Sequence, residues 1–308
     1  MEQRRMILDC DPGHDDAIAI MLAGKSPSID LLGITVVAGN QTIEKTAQNA
    51  LNVVEYLKLD VPVFAGASEP LIKERVICAQ IHGESGLDGF TFPINRTHLQ
   101  RERASDFIVN SLMKYDDVTI VATGPLTNIA LALKNEPLIK LHIKEIVLMG
   151  GSIGSGNVSP AAEFNILTDP EAADIVFRSG CIIKMCGLDV TREVLVLKEV
   201  IERMNKIHND ASKLFVDLMR VFNANQKKIF GFDGAPLHDP VTIVSLIDKK
   251  VVHFEYMNVE IDISRGPSYG RTNCDRFNYL HRQPNVYVAT RIDVKKYWNI
   301  IEEGLKRY

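Results

Sequence analysis

Five short apolar runs, separated by segments of helical spacing, most constrain what this chain can fold into. Residues 6–9, 29–37, 118–121, 145–149 and 182–185 read as strands buried on both faces, because they are apolar without regular alternation. Between them, residues 43–57, 104–113, 126–133 and 171–177 repeat apolar positions at three- and four-residue intervals, as a helix with one buried face does. Strand and helix in alternation give a parallel sheet with crossover helices. Thr168-Asp169-Pro170-Glu171 marks a helix start, with a Thr or Asp cap, a proline in the first turn and a glutamate set for a capping box; Gly180 marks its stop. After Asp189 the pattern changes to helices over 198–208 and 212–225, then short strands and turns, then a terminal helix over 297–306. Neither a linker nor a repeat divides the chain. The expectation is a single α/β domain over 1–308, with a mostly parallel central sheet of open, Rossmann-like type, flanking helices and extra helices in the C-terminal half.

With 308 residues, 46% of them hydrophobic and 24% charged, such a chain buries about three quarters of its unfolded surface. A net charge of −4 offers no general attraction to nucleic acid or anionic membranes, so neither is an expected partner. No apolar run approaches the ~18 residues of a membrane span, and the N-terminal segment runs straight into a strand, which points to the cytoplasm. Cys10, Cys78, Cys181, Cys186 and Cys274 are an odd set without CxxC spacing, so free thiols are expected.

At the first strand-to-helix junction stand four aspartates within eight residues: Asp9, Asp11, Asp15 and Asp16. At about 5 Å and an effective dielectric of ~20, each like-charged pair costs roughly 3 kcal/mol. A bound hard cation neutralises such a cluster and leaves its oxygens ionised. In an open α/β sheet ligands bind beyond the carboxyl ends of the strands. The loops there are residues 9–16, Ala38-Gly39-Asn40, Thr123-Gly124-Pro125, Met149-Gly150-Gly151 and Gly187-Leu188-Asp189, all glycine-rich or polar.

Spacing separates three devices the acidic run could represent. An EF-hand starting at Asp9 needs an acid at its twelfth position, where Ile20 stands, so that reading fails. An aspartate-nucleophile phosphotransferase suits the DxD after a first strand and stays open. A calcium-dependent sugar or nucleoside binder without catalysis stays open too. Glu163-Phe164-Asn165-Ile166, after Gly154-Ser155-Gly156-Asn157, offers amides and a carboxylate without a basic residue, a set suited to hydroxyls rather than phosphates; it also reads as a capping loop. The glycines at 150–156 match no dinucleotide fingerprint, and there is no Walker A lysine. His238-Asp239-Pro240 opens a helix, Asp239 being either its N-cap or another oxygen ligand and His238 an acid titrating near neutrality. Residues 82–89, HGESGLDG, read as a mobile binding loop.

Taken together, DCDPGHDDAIA at 9–19, AGN at 38–40, HGESGLDG at 82–89, TGPLTN at 123–128, MGG at 149–151, AEFNI at 162–166 and PLHDP at 236–240 closely resemble the nucleoside hydrolase family of inosine-uridine preferring type, and within it the bacterial pyrimidine-specific ribonucleoside hydrolases. The resemblance implies calcium held by Asp11, Asp16, Asp239 and the Thr123 carbonyl, with Asp15, Asn40 and Asn165 around the ribose 2′ and 3′ hydroxyls. It implies Asn157 and Glu163 at the 5′ hydroxyl and Met149 against the sugar. Asp11 would be the base that activates water, and His238 and His82 would assist the departing nucleobase. Gln226 and Phe230 would face that base, Phe230 standing where relatives carry a tyrosine. The implied reaction is hydrolysis of the N-glycosidic bond of uridine or cytidine in nucleoside salvage, by a homotetramer. Asp9 is left a supporting position behind the loop.

Overall fold

Buried strands and crossover helices arrange as their spacing predicts. The structure, a computed structural model, describes residues 3–308; the first two residues of the N-terminal segment read above lie outside it. In chain order the strands are β1 (Arg4–Cys10), β2 (Ile29–Val36), β3 (Val63–Ala65), β4 (Val118–Ala122), β5 (Ile143–Met149), β6 (Ile183–Cys186), β7 (Leu195–Val196), β8 (Ala235–Pro236), β9 (Val252–Ile261), β10 (Thr272–Asp275) and β11 (Val286–Ile292). Nine of them form one sheet in the order β10-β9-β11-β6-β5-β4-β1-β2-β3, and β7 pairs with β8 apart from it. Pairing is parallel from β3 through to β11 and antiparallel only from β11 to β9 and β10.

Strand β1 is the switch point. The chain leaves it to one side for β2 and β3 and later returns on its other side for β4, β5 and β6. A crevice opens at the carboxyl end of such a strand. Alternation along β1 sends Met6, Leu8 and Cys10 into the core cluster that includes the helix His14–Gly24, while Ile7 joins the cluster on the opposite face, with residues of the helices Ala104–Lys114 and Thr127–Asn135. Both faces of the sheet are therefore covered, which is why its strands read as continuous apolar runs.

Several boundaries differ from the sequence reading. The cap before Pro170–Phe177 is Asp169, whose carboxylate accepts from the Ala172 amide at 3.1 Å. The third helical position is then Ala172, so Glu171 makes no capping box and instead accepts the Tyr269 hydroxyl at 2.7 Å. The helix expected over 198–208 stops at Asn205, and the next runs Asp210–Phe230, one turn past the expected end, before Gly231 turns left-handed at φ 75°. The region expected as short strands contains the ten-residue β9, which with β10 and β11 extends the main sheet. All five cysteines are free, and among the described residues no helix is long and apolar enough to cross a membrane.

Candidate active site

Asp9 and Asp11 leave β1 on the same side and meet different surroundings. Asp9 pairs in register with Thr35 of β2, whose hydroxyl donates to Asp9 Oδ1 at 2.6 Å; Asn128 Nδ2 donates to the same oxygen at 2.8 Å. Asn128 also ties Val36 and Ala67, so Asp9 anchors the loops behind the crevice. Burial raises its carboxyl to about 7 against those two bonds. Asp11 Oδ2 accepts the Asn40 amide at 2.7 Å, while Oδ1 is buried with no hydrogen-bond partner. Gly39 makes this approach possible, since a Cβ there would fall 2.1 Å from Asp11 Oδ2.

Asp15 and Asp16 open the helix His14–Gly24. Asp16 reaches back to the Gly13 amide at 3.0 Å and takes the Thr123 hydroxyl at 2.7 Å. Asp239 precedes the helix Pro240–Ile247 without capping it: its side chain bonds no amide there. One carboxylate oxygen each from Asp15, Asp16 and Asp239 lies within 4.8 Å of the others, all buried. Asp15 thus sits in the tightest trio, where the resemblance implied Asp11. Burial, then the neighbouring Asp16 charge, pushes Asp15 to about 7 and Asp11 well above the carboxylate range; burial, then Asp15 and Asp16, does the same to Asp239. Crowded buried oxygens, one of them orphaned, fit a hard divalent cation. The Thr123 carbonyl faces the same cleft and accepts Asn165 Nδ2 at 2.8 Å, keeping a second lone pair.

The cleft above this cluster has a cavity volume of about 210 Å³. It brings together Asp15, Asn40, His82, Thr123, Met149, Asn157, Glu163, Asn165, Gln226, Phe230, His238 and Asp239; Asp11 and Asp16 stand behind its wall. Glu163 caps the helix Phe164–Thr168, accepting from Asn165, Ile166 and Gly151 amides at 3.0, 3.1 and 3.0 Å, so the capping reading and the cleft position hold at once. Asn165 Nδ2 also reaches the Met149 carbonyl at 3.1 Å, and Asn157 Oδ1 takes the Phe164 amide at 2.9 Å. The Asn165 bonds tie the helix Phe164–Thr168 to the ends of β4 and β5.

His82 Nδ1 accepts the His14 backbone amide at 3.2 Å. A backbone N–H only donates, so the neutral His82 ring carries its hydrogen on Nε2. Gly13 leaves the room: a Cβ there would lie 2.5 Å from His82 Nδ1. The loop after His82 is tied down rather than free, with Gln41 Nε2 donating to the Gly83 and Glu84 carbonyls at 3.0 and 3.1 Å and Asn49 Nδ2 to Ser85 at 2.9 Å. Burial lowers His238 to about 3, with Arg192 adding to the effect, and holds His82 well below its usual range. Both rings are neutral at pH 7, which corrects the expectation of an acid titrating near neutrality.

Among the cleft residues not anticipated, three have distinct contacts. Phe222 stacks on His14 and His82 at centroid distances of 5.2 and 5.4 Å; its spacing with Gln226 and Phe230, four residues each, was the available signal. Phe232 stacks on Phe230 at 5.6 Å. Arg192 reaches the cleft wall, and its guanidinium donates to the Gly156 carbonyl at 2.7 Å and to Ser155. No sequence motif announces it.

The profile of the inosine-uridine preferring nucleoside hydrolases matches residues 6–299. The chain is 46% identical to the pyrimidine-specific ribonucleoside hydrolase RihB of Escherichia coli O1:K1 over 100% of its own length and 99% of that protein's. Among solved structures it is similar to a purine-preferring ribonucleoside hydrolase from Gardnerella vaginalis (TM-score 0.92, 35% identity, 98% of each chain). It is also similar to the plant nucleoside hydrolase PpNRh1 (TM-score 0.92, 31% identity, 98% of this chain and 99% of that one). The chain belongs to the inosine-uridine preferring nucleoside hydrolase family and is a ribonucleoside hydrolase acting on N-glycosidic bonds.

Proposed function

We propose that the chain hydrolyses uridine and cytidine to ribose and free base, with calcium at the carboxylate cluster. One observation carries the reading: a single cleft brings together buried carboxylates, two histidines, and amide and carboxylate groups suited to sugar hydroxyls. Asp11, Asp16, Asp239 and the Thr123 carbonyl would hold the ion, with Asp15 beside it. When bound, the cation neutralises the carboxylates and lowers the pKa of a neighbouring water. Asp11 Oδ1, which has no protein partner, is the lone pair that takes the proton from the attacking water. Asp15, Asn40 and Asn165 orient the 2′ and 3′ hydroxyls, Asn157 and Glu163 the 5′ hydroxyl, and Met149 packs on the ring. Positive charge grows on the sugar as the bond to the base breaks, and the surrounding carboxylates favour it. His82 and His238 donate hydrogen bonds to the departing base, while Gln226 and Phe230 border it.

The preference for pyrimidines draws support from the 46% identity to RihB, a protein named for that specificity. A phosphotransferase gains nothing from Arg192, whose guanidinium is engaged with carbonyls while buried carboxylates dominate the cleft. From the family resemblance we also propose a cytoplasmic homotetramer serving nucleoside salvage. The test is ribose release from uridine and cytidine by the purified protein with calcium, with and without chelator, on a sample whose mass in solution is measured. Release lost on chelation, restored by calcium and reduced at least ~10²-fold in Asp11→Ala is the expected result. Absence of release with calcium present overturns the activity, and a single-chain mass overturns the tetramer.

A further inference from the structure

Thr191 ends the short helix Leu188–Thr191, is fully buried, and makes one side-chain hydrogen bond: its Oγ1 lies 2.7 Å from His238 Nδ1. A hydroxyl has one hydrogen to donate, and a neutral imidazole has one nitrogen free to accept it. Among the described residues the Thr191 hydroxyl has no other acceptor, so donation to Nδ1 is the arrangement that leaves no buried hydroxyl hydrogen unused. The ring hydrogen of His238 is then on Nε2. That nitrogen makes no hydrogen bond within the described residues, and the ring lines the cleft with Gln226 and Phe230. The helix under Thr191 is itself held in place. The Asp189 carboxylate accepts the Ile153 and Gly154 amides at 2.6 and 3.1 Å, and Arg192 donates to Gly156.

We infer that Thr191 is a positioning residue whose hydroxyl holds His238 in the Nε2–H tautomer and aims that hydrogen at the departing base. The inference rests on the reading in which His238 faces the leaving group. As the bond from C1′ to the base nitrogen breaks, its electron pair passes to the base. The Nε2–H hydrogen bond stabilises that charge, and the base takes its proton from water. The other tautomer would turn a lone pair toward a centre gaining electrons. Thr191 therefore decides whether His238 helps or hinders departure.

The experiment compares wild type, Thr191→Val and Thr191→Ser on uridine and on p-nitrophenyl riboside, whose leaving group departs without a hydrogen-bond donor. Loss of the hydrogen-bond partner that orients a metal-ligating histidine costs about 10- to 100-fold, and the same order is expected for a histidine oriented toward a leaving group. Thr191→Val is expected to lose about that much kcat on uridine with KM changed less than about threefold, and Thr191→Ser to recover most of it. Release of p-nitrophenol should stay near the wild-type rate in both variants. Equal losses on the two substrates would mean a structural role and overturn the assignment, as would an unchanged Thr191→Val. Nitrogen-15 spectra of the wild-type histidines read the tautomer without any substitution: an unprotonated Nδ1 on His238 is expected, and an unprotonated Nε2 overturns the inference. A wild type silent on both substrates overturns the proposed function itself, and this inference with it.

Discussion

One residue separates Asp9 from Asp11, yet their partners divide them: Asp9 takes side-chain donors from β2 and a helix, whereas Asp11 takes the backbone amide of Asn40, and each keeps one buried oxygen unpartnered. The same kind of division marks the helix end at Phe230. Gln226 is 4% exposed with its Oε1 unpartnered, and Phe230, one turn on, is 41% exposed over the cleft, so it is no core residue. A phenyl ring packs on a base but donates nothing. Phe230→Tyr adds a hydroxyl at the rim. Since a hydrogen bond is worth ~0.5–1.5 kcal/mol, kcat on uridine should rise about 2- to 10-fold. An exposed substitution of this kind shifts stability by no more than ~0.5 kcal/mol. Uridine kinetics beside a urea titration check this, and unchanged kinetics would remove Phe230 from the site. At this scale the sequence was legible where chemistry is local. The run from Asp9 to Asp16 is crowded along the chain itself, so repulsion alone exposes it. Arg192 and Phe222 reach the cleft, and Thr191 reaches His238, only through the packing of their helices; the four-residue spacing of Phe222 to Gln226 and Phe230 is the one local signal among them.

The sheet is tied at its other end by charge. Glu145 of β5 takes Lys184 of β6 at 2.7 Å and Arg4 of β1, spanning the strands that flank and include the switch point. Burial raises the Glu145 carboxyl, but the bonds from Lys184 and Arg4 outweigh that and hold it below its usual value. A carboxylate with a depressed folded pKa adds stability above its unfolded pKa and loses it as pH falls through the folded one. Glu145→Gln should therefore cost about 2 kcal/mol at pH 7 and progressively less below about pH 4.5. Urea titrations at the two pH values decide it; a cost independent of pH would mean packing, not charge. Elements buried on both faces were legible because parallel strands covered by helices on both sides read as near-continuous apolar runs. The β9 to β11 region was not, since half-exposed antiparallel strands such as β9 carry a diluted pattern, its burial alternating irregularly. The helix Asp210–Phe230 outran its reading because its last turn, Lys227 to Phe230, is exposed and no apolar stripe announces it.

For the molecule as a whole, the fold concentrates unfavourable charge at one point. Asp11, Asp15, Asp16 and Asp239 come from two chain regions more than two hundred residues apart, and folding brings their carboxylates into one buried cluster. An ion that binds this cluster and not the unfolded chain stabilises the protein by mass action, about 2.7 kcal/mol at a hundredfold excess over Kd. For a chain of this size that is a rise in Tm of roughly 4 °C. Substitutions in the cluster separate this from any nonspecific effect of calcium, because they act with opposite signs on the two forms. Asp239→Asn removes one repelling charge, so the chelated protein should melt no lower than the chelated wild type. It also removes one oxyanion from the ligand set, so most of the calcium-dependent rise should vanish. Scanning calorimetry of both proteins, chelated and with calcium, reads the four values. A wild type whose Tm ignores calcium, or a variant that keeps the full rise, would remove the ion from this cluster and leave its repulsion to be relieved by protons alone.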